Sequence, residues 1–193
     1  MGLRLTDAGS PQRVADKLKE LSSAIAGSSA SGDTERLLVE MLKSVFSATD
    51  DEFIRTSEFA QHGSTATTAL LVGNWLFCAN TGDSRTLLCR DFKPMPMTTD
   101  HKPSREDEAT RIRAAGGFVI NNRVMGELAV SRAFGDADFK KGIQSIIEEE
   151  GAPSTGIDME NQAWDQPLIV AEPDVEVTEI SGQDQFLLLA CDG

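Results

Sequence analysis

The N-terminal part of the chain carries apolar residues at helical spacing. They recur every three or four positions over residues 12–26 and predict an amphipathic helix there. Residues 27–32 are rich in Gly and Ser and predict a loop. Asp33 is expected to cap a second helix. The predicted apolar face of that helix consists of Leu37, Leu38, Met41, Leu42, Val45 and Phe46. A separate, shorter helical piece is expected to carry Phe53, Ile54 and Phe59.

Short apolar runs replace the helical spacing farther along the chain. Residues 67–72, 75–80 and 85–90 predict three strands of an antiparallel meander, and their apolar character favours a sheet that is covered on both faces. Residues 174–180 alternate between apolar and polar and predict a half-buried strand. Residues 186–191 are apolar throughout and predict a fully buried strand.

One more helix and two more strands are predicted in the middle of the chain. Ser104 is expected to begin the helix, with Asp107 completing a shortened capping box, and Gly116 is expected to end it. Residues 118–120 and 123–130 then predict two strands.

Composition indicates one folded domain. The chain has 193 residues, of which 40% are hydrophobic, so we expect a single domain over residues 1–193 with a surface excursion at about 140–166. The net charge of −13 and the absence of a basic stripe argue against nucleic-acid binding and favour an acidic surface. The longest apolar run has six residues, too few for a transmembrane helix.

The cysteines and the first residues bear on location. The three cysteines lie in apolar runs, so we interpret them as buried free thiols in a reducing compartment, either cytoplasmic or nuclear. Residues 1–6 match the N-myristoylation pattern at Gly2, although so short a pattern often matches by chance. A single acyl chain would bind a membrane only weakly.

Two acidic residues follow predicted strands and could hold a metal. Asp83 comes in a turn after residues 75–80, and Asp192 directly follows residues 186–191 and precedes a glycine. Carboxylates at strand ends are rigid oxygen ligands of the kind that Mg²⁺ or Mn²⁺ prefers. The alternative for Asp83 is that its side chain only caps its own turn.

Other candidate chemistry is weaker. A calcium loop that starts at Asp136 would need a glutamate where Ile147 stands. A serine-hydrolase elbow is absent from the sequence. His101 precedes a helix and is expected to be structural. Arg85 and Arg132 each follow a serine beside an apolar run, and we expect both to form internal ion pairs rather than to bind phosphate.

The order and spacing of eight motifs resemble the PP2C-type metal-dependent protein serine/threonine phosphatases. The motifs are GSTA at 63–66, ANTGDSR at 79–85, DHKP at 100–103, Arg111-Ile112 with AGG at 115–117, Arg123-Val124, LAVSRAFGD at 128–136, EPDV at 172–175, and residues 186–193. The resemblance covers most of residues 63–193 and is looser before them.

This resemblance implies a fold and a chemistry. The implied fold is α+β: an αββα sandwich of two antiparallel sheets flanked by helices. The implied reaction is the hydrolysis of phosphoserine or phosphothreonine in a phosphoprotein substrate, by water that Mg²⁺ or Mn²⁺ activates. Asp192 matches a metal-binding aspartate of the family, and Asp83 matches an aspartate that helps to hold an additional, weaker metal.

Two departures from the family pattern keep a second function open. The family has Asp-Gly-His-Gly-Gly before its first helix, where this chain has Asp7-Ala8-Gly9-Ser10-Pro11. Asp7 can stand for the bridging acid, but Gly9 replaces the general-acid histidine, a loss that typically costs about 10²–10⁴-fold in rate. An acidic ligand and an arginine before this motif, and a later Asp-Asn motif, have no counterpart, which implies an incomplete domain. The chain is therefore expected to be a phosphatase or a pseudophosphatase that binds partners.

Overall fold

The computed structural model describes residues 31–140 and 166–191, which form two α-helices, ten β-strands and a short 3₁₀ turn at Ala137–Phe139. The helices are α1 (Ser31–Thr56) and α2 (Glu106–Ala114). The strands are β1 (Gly63–Ser64), β2 (Ala66–Val72), β3 (Trp75–Thr81), β4 (Arg85–Arg90), β5 (Lys93–Pro96), β6 (Val119–Ile120), β7 (Arg123–Val124), β8 (Phe134–Gly135), β9 (Asp174–Glu179) and β10 (Asp184–Ala190).

Two antiparallel sheets form the centre of the molecule. One has the strand order β2-β3-β9, and the other has the order β10-β4-β5. Leu76 and Cys78 of β3 pack with Leu88 of β4 and with Met97 in a buried cluster between the sheets. The predicted α+β sandwich with two antiparallel sheets is confirmed.

The helices contribute to two further packing regions. α1 contacts β8 and β9, and the ring centroids of Phe46 and Phe134 lie 5.3 Å apart. α2 buries Ile112 and Ala115 in a second cluster with Leu168 and Ile169. Neither helix combines the length and the apolarity that crossing a bilayer requires.

The first two predicted strands of the meander pair as expected, but the third does not. β2 and β3 form a hairpin in which Gly73 has a φ of +60°, as a tight turn with glycine at its first central position requires. β4 belongs to the other sheet, because the turn at residues 82–84 carries the chain from one sheet to the other. Only β3 is covered on both faces, since β2 is an edge strand whose Leu71 is exposed.

The prediction of a fully buried strand at residues 186–191 is wrong. Phe186 and Leu188 of β10 are 61% and 48% exposed. The continuous apolar run indicated a central strand, but β10 pairs only with β4 and lies at the edge of its sheet. β5 was not predicted, because Pro94 and Pro96 weaken the strand pattern; prolines are tolerated on an edge strand such as this one.

Several element boundaries also differ from the prediction. α1 is already helical at Ser31 and continues to Thr56, so Asp33 is not its cap and no separate helical piece follows. The capping box of α2 does not form, because the Asp107 carboxylate binds Arg105, and the helix begins after Arg105 instead.

The end of α2 is as predicted, whereas the strand after it is shorter. Gly116 follows the helix with a φ of +92°. The strand predicted over residues 123–130 ends at Val124, because Met125 and Gly126 turn the chain with positive φ. The predicted helix over residues 12–26 and all but the ends of the predicted excursion lie outside the described residues.

Replacing Asp184 by asparagine should make stability less sensitive to acid. Arg90 donates two hydrogen bonds to Asp184, at 2.6 and 3.0 Å, and these bonds, together with one of 2.7 Å from the Ser181 N–H, lower the pKa of this carboxyl to about 2. The unfolded value is about 3.9, so the contact stabilises the fold at higher pH and is lost as the pH falls from about 4 toward 2. The urea midpoints at about pH 6 and about pH 2.5 should therefore differ less for the variant than for the wild type.

The matched control is Asp91→Asn, on the exposed turn after β4. It should keep the wild-type difference between the two midpoints. An undiminished difference in Asp184→Asn would contradict the role given to the Arg90 contact.

Candidate functional site

Asp83 lies at one edge of the sandwich, in the turn at residues 82–84 that joins β3 to β4 (the Asp83 turn). Its side chain is only 13% exposed, and Lys102 forms an ion pair with the carboxylate. The register of the second sheet places Ala190 of β10 opposite Arg85, the first residue of β4. The C-terminal end of β10 therefore meets the sheet edge where the Asp83 turn enters β4.

The other predicted ligands lie outside the described residues. This applies to Asp7 and Asp192, and also to Gly9 at the general-acid position and to Gly2 at the acylation motif. The roles assigned to these four residues remain predictions.

The shape of the Asp83 turn depends on Gly82. This residue has a φ of +100°, and a Cβ atom there would lie 2.3 Å from Cγ2 of Thr65. Thr65 in turn places its hydroxyl 2.8 Å from the Ser84 hydroxyl. The GSTA motif thus packs directly against the Asp83 turn.

His101 links this turn to β9. Its imidazole is fully buried, as expected for a structural histidine. Nδ1 accepts a hydrogen bond of 3.1 Å from the Gly82 N–H, and Nε2 lies 3.0 Å from Oδ2 of Asp174. The motifs that contain Asp83, His101 and Asp174 therefore meet around one buried ring.

Asp174 faces His101 and two arginines. Besides His101, Arg132 lies 3.0 Å from one carboxylate oxygen and Arg105 lies 3.2 Å from the other. The contact with His101 and the charges of both arginines lower the pKa of Asp174 well below its usual range, although partial burial opposes them. Asp174 is therefore a fixed negative charge at the start of β9.

Glu108 is the most buried acid of this network, with a side chain that is 2% exposed. Arg132 and Arg111 donate hydrogen bonds of 2.7 and 2.8 Å to its two oxygens. Burial alone would raise the pKa of Glu108, but these hydrogen bonds outweigh it and lower the pKa. Arg111 also donates to the Ser131 carbonyl, and Arg132 also donates to the Glu172 carbonyl. The network therefore links α2 to the LAVSRAFGD segment and, through Arg132, to the EPDV segment.

Both arginines that were predicted to form internal ion pairs are paired, but only the Arg132 pair is internal. Arg132 pairs with Glu108 and Asp174 in the partly buried network. Arg85 donates two hydrogen bonds of 2.8 Å to Asp100, but its side chain is 65% exposed, so this pair lies at the surface.

A groove of about 570 Å³ opens beside the Asp83 turn. Arg85, Lys102 and Arg105 line it together with Asp100 and the hydroxyl-bearing Thr98, Thr99 and Ser104. Each of the three cations is already paired with a carboxylate: Arg85 with Asp100, Lys102 with Asp83, and Arg105 with Asp107. An anionic ligand in this groove would compete with those carboxylates for the cations.

The described side chains provide one of the predicted metal ligands but not a complete metal centre. Asp83 is a partly buried carboxylate that already pairs with the ammonium group of Lys102. An oxygen donor of this kind suits one ligand position of Mg²⁺ or Mn²⁺. No group of three His, Cys, Asp or Glu side chains in a metal-binding arrangement occurs within the part of the chain that the structure describes.

The two acidic network residues were missed by sequence reasoning. Glu108 stands in the charged segment REDE, a pattern typical of a solvated helix face, and its local signals are Arg105 and Arg111, each three residues away. Its more distant partner, Arg132, lies 24 positions away. Asp174 opens a strand and gives no local signal of pairing with His101.

Comparison with known proteins agrees with these motifs. A family model described as protein phosphatase 2C matches residues 5–193. Probable protein phosphatase 2C 6 of Paramecium tetraurelia is 46% identical over 138 residues, which are 72% of this chain and 41% of that protein. Protein phosphatase 2C homolog 3 of Schizosaccharomyces pombe is 45% identical over 157 residues, 80% of this chain and 34% of that protein.

A solved structure supports the fold. The crystal structure of serine-threonine phosphatase 2C from Toxoplasma gondii matches with a TM-score of 0.61 and 23% identity, over 93% of this chain and 58% of that one. The chain thus spans less than half the length of the two curated relatives named above. The family model and these relatives together show that the chain belongs to the protein phosphatase 2C family.

Proposed function

We propose that the protein is a metal-dependent protein serine/threonine phosphatase whose ligands include Asp83, Asp192 and Asp7. The observation that carries this proposal is the pairing of Ala190 with Arg85, because it brings the strand before Asp192 to the edge where Asp83 lies. When bound, Mg²⁺ or Mn²⁺ would lower the pKa of water and offset the negative charge of the phosphate.

The residues of the chain itself would bind and orient the substrate. In the groove lined by Arg85, Lys102 and Arg105, a phosphorylated segment of a phosphoprotein would contact these cations in place of their present carboxylate partners. The Asp83 carboxylate lies beside this groove, where it is largely buried and paired with Lys102. The three cations of the groove would thus bind the substrate beside the Asp83 turn.

A second candidate function is that of a pseudophosphatase that binds partner proteins through the same scaffold. Two observations favour it. Gly9 stands where the family has its general-acid histidine. Lys102 already neutralises Asp83, so a divalent cation would have to displace this lysine.

The two functions differ in the expected result of one assay. We expect the wild type to hydrolyse a phosphothreonine peptide in millimolar Mn²⁺, and Asp192→Asn to reduce the rate at least about a hundredfold, because a metal ligand is lost. Asp91→Asn, an equal change of charge on an exposed turn, should leave the rate unchanged.

A wild-type rate as low as that of Asp192→Asn would contradict the phosphatase proposal. Calorimetric titration with Mn²⁺ then separates two cases. Binding that Asp83→Asn abolishes would show a surviving cation site in an inactive scaffold, and no binding would remove the metal from the proposal altogether.

A further inference from the structure

We propose that His101 is a positioning residue: its Nδ1 atom fixes the Asp83 turn and thereby the direction of the Asp83 carboxylate. The inference rests on the proposed function, because it assigns a purpose to the position of Asp83. It goes beyond that function in naming a buried residue, which touches neither substrate nor metal, as a determinant of cation affinity.

Two hydrogen bonds join His101 to Gly82. The Gly82 N–H donates to Nδ1 at 3.1 Å, and the His101 N–H donates to the Gly82 carbonyl at 3.0 Å. Nδ1 also lies 3.1 Å from the Gly82 carbonyl oxygen, but that oxygen already accepts from the His101 N–H and from Nδ2 of Asn80. Nδ1 is therefore the acceptor of the Gly82 N–H, which places the proton of a neutral ring on Nε2. Nε2 lies 3.0 Å from Oδ2 of Asp174, a close electrostatic contact without hydrogen-bond geometry.

Nδ1 of His101 is the acceptor that the structure gives to the Gly82 N–H. Gly82 is buried and has no side chain, and its φ of +100° lies in a region that only glycine enters freely. The Lys102 side chain that pairs with Asp83 is 39% exposed, so it can move with the carboxylate. Loss of the Nδ1 acceptor would leave a buried N–H without its partner at the residue before Asp83.

The contacts of His101, Asp174, Asn80 and Gly82 form a closed circuit. Asp174 is held by Arg132 at 3.0 Å, and it lies opposite Asn80 in the pairing of β9 with β3. Asn80 in turn donates from Nδ2 to the Gly82 carbonyl at 3.0 Å. His101 is thus anchored to β9 on one side and to the end of β3 on the other, so the Asp83 turn cannot shift without breaking a buried contact.

A residue that only filled space would behave differently from one that positions the turn. Asparagine at position 101 can place an amide oxygen near the site of Nδ1, whereas glutamine can place an amide nitrogen near the site of Nε2. Glutamine is the closer match in volume. A space-filling role therefore favours His101→Gln, and a positioning role through Nδ1 favours His101→Asn.

The experiment measures Gly82 amide hydrogen exchange by NMR and Mn²⁺ affinity by calorimetry in the wild type and both variants. His101→Gln should speed Gly82 exchange about tenfold relative to amides in β9 and weaken Mn²⁺ binding by a similar factor, because a buried N–H loses its acceptor. His101→Asn should stay within about threefold of the wild type in both measurements. Equal behaviour of the two variants, or a better result for His101→Gln, would overturn the proposal.

Two further measurements keep the test decisive. ¹⁵N NMR of the wild-type imidazole requires no variant, and a proton found on Nδ1 would overturn the proposal even if both variants failed to fold. If the wild type binds no Mn²⁺, the proposed metal-dependent function fails. Gly82 exchange and the tautomer then still decide whether His101 fixes the turn.

Discussion

Replacing Glu108 by glutamine should lower the free energy of unfolding by about 3 kcal/mol, because it removes one partner of a buried ion network. The variant keeps the shape of the side chain but leaves Arg111 and Arg132 facing a neutral amide. Removing one partner from a fully buried pair costs about 3–5 kcal/mol, and the lower end applies since both arginines are partly exposed. Urea unfolding at neutral pH measures the loss.

Glu106→Gln is the matched control, because Glu106 lies in the same helical turn but is exposed. Both substitutions remove one negative charge from the N-terminus of α2, so the helix-dipole contribution is shared. The control should cost about 0.5 kcal/mol or less. If both variants lost equal stability, the arginine contacts of Glu108 would contribute nothing beyond that common effect.

The loss in Glu108→Gln should also depend on pH. The pKa of Glu108 is lower in the folded protein than in the unfolded chain, since the arginine contacts outweigh burial. Its contribution is therefore fully present above the unfolded value of about 4.3 and declines as the pH falls through the folded value. The difference in stability between variant and wild type should shrink in acid, and a constant difference would indicate a cause other than charge.

Local patterns predicted the elements well, whereas the environment of each element depended on distant partners. The hairpin of β2 and β3 follows from two apolar runs around Gly73, and the structure confirms it. The exposure of Phe186 could not be read from its own segment, because an apolar run does not show how many neighbouring strands and layers will cover it. For the same reason, the sequence did not show that β4 pairs in a different sheet from β3.

The candidate site shows a similar division. Asp83 could be located because a carboxylate in a turn after an apolar strand is a local signal, and the structure places it in the turn that follows β3. Glu108 and Asp174 could not be singled out, because Arg132, which binds both, is far from each of them in the sequence. Charged residues on a helix usually face solvent, and only packing shows that Glu108 does not.

Gly135 has a backbone conformation that favours glycine and has no room for a side chain. It has a φ of +69°, and a Cβ atom there would lie 2.0 Å from the His62 carbonyl oxygen and 3.0 Å from the Phe53 ring. Its N–H donates to Oδ1 of Asp50 at 2.8 Å, so the residue cannot move away without breaking a buried contact with α1. The obstacle is largely backbone, which cannot rotate aside as a side chain can.

Gly135→Ala should therefore lower the free energy of unfolding by about 3 kcal/mol or more, combining left-handed strain of about 1–2 kcal/mol with overpacking of about 1–3 kcal/mol. Gly73→Ala is the control that separates these causes, because Gly73 has a φ of +60° but no atom within 4 Å of a Cβ placed there. Urea unfolding should show only the strain in Gly73→Ala. Equal losses in the two variants would mean that the backbone at His62 moves away from the new methyl group at little cost. The close packing of β1 against β8 would then not add to the loss of stability.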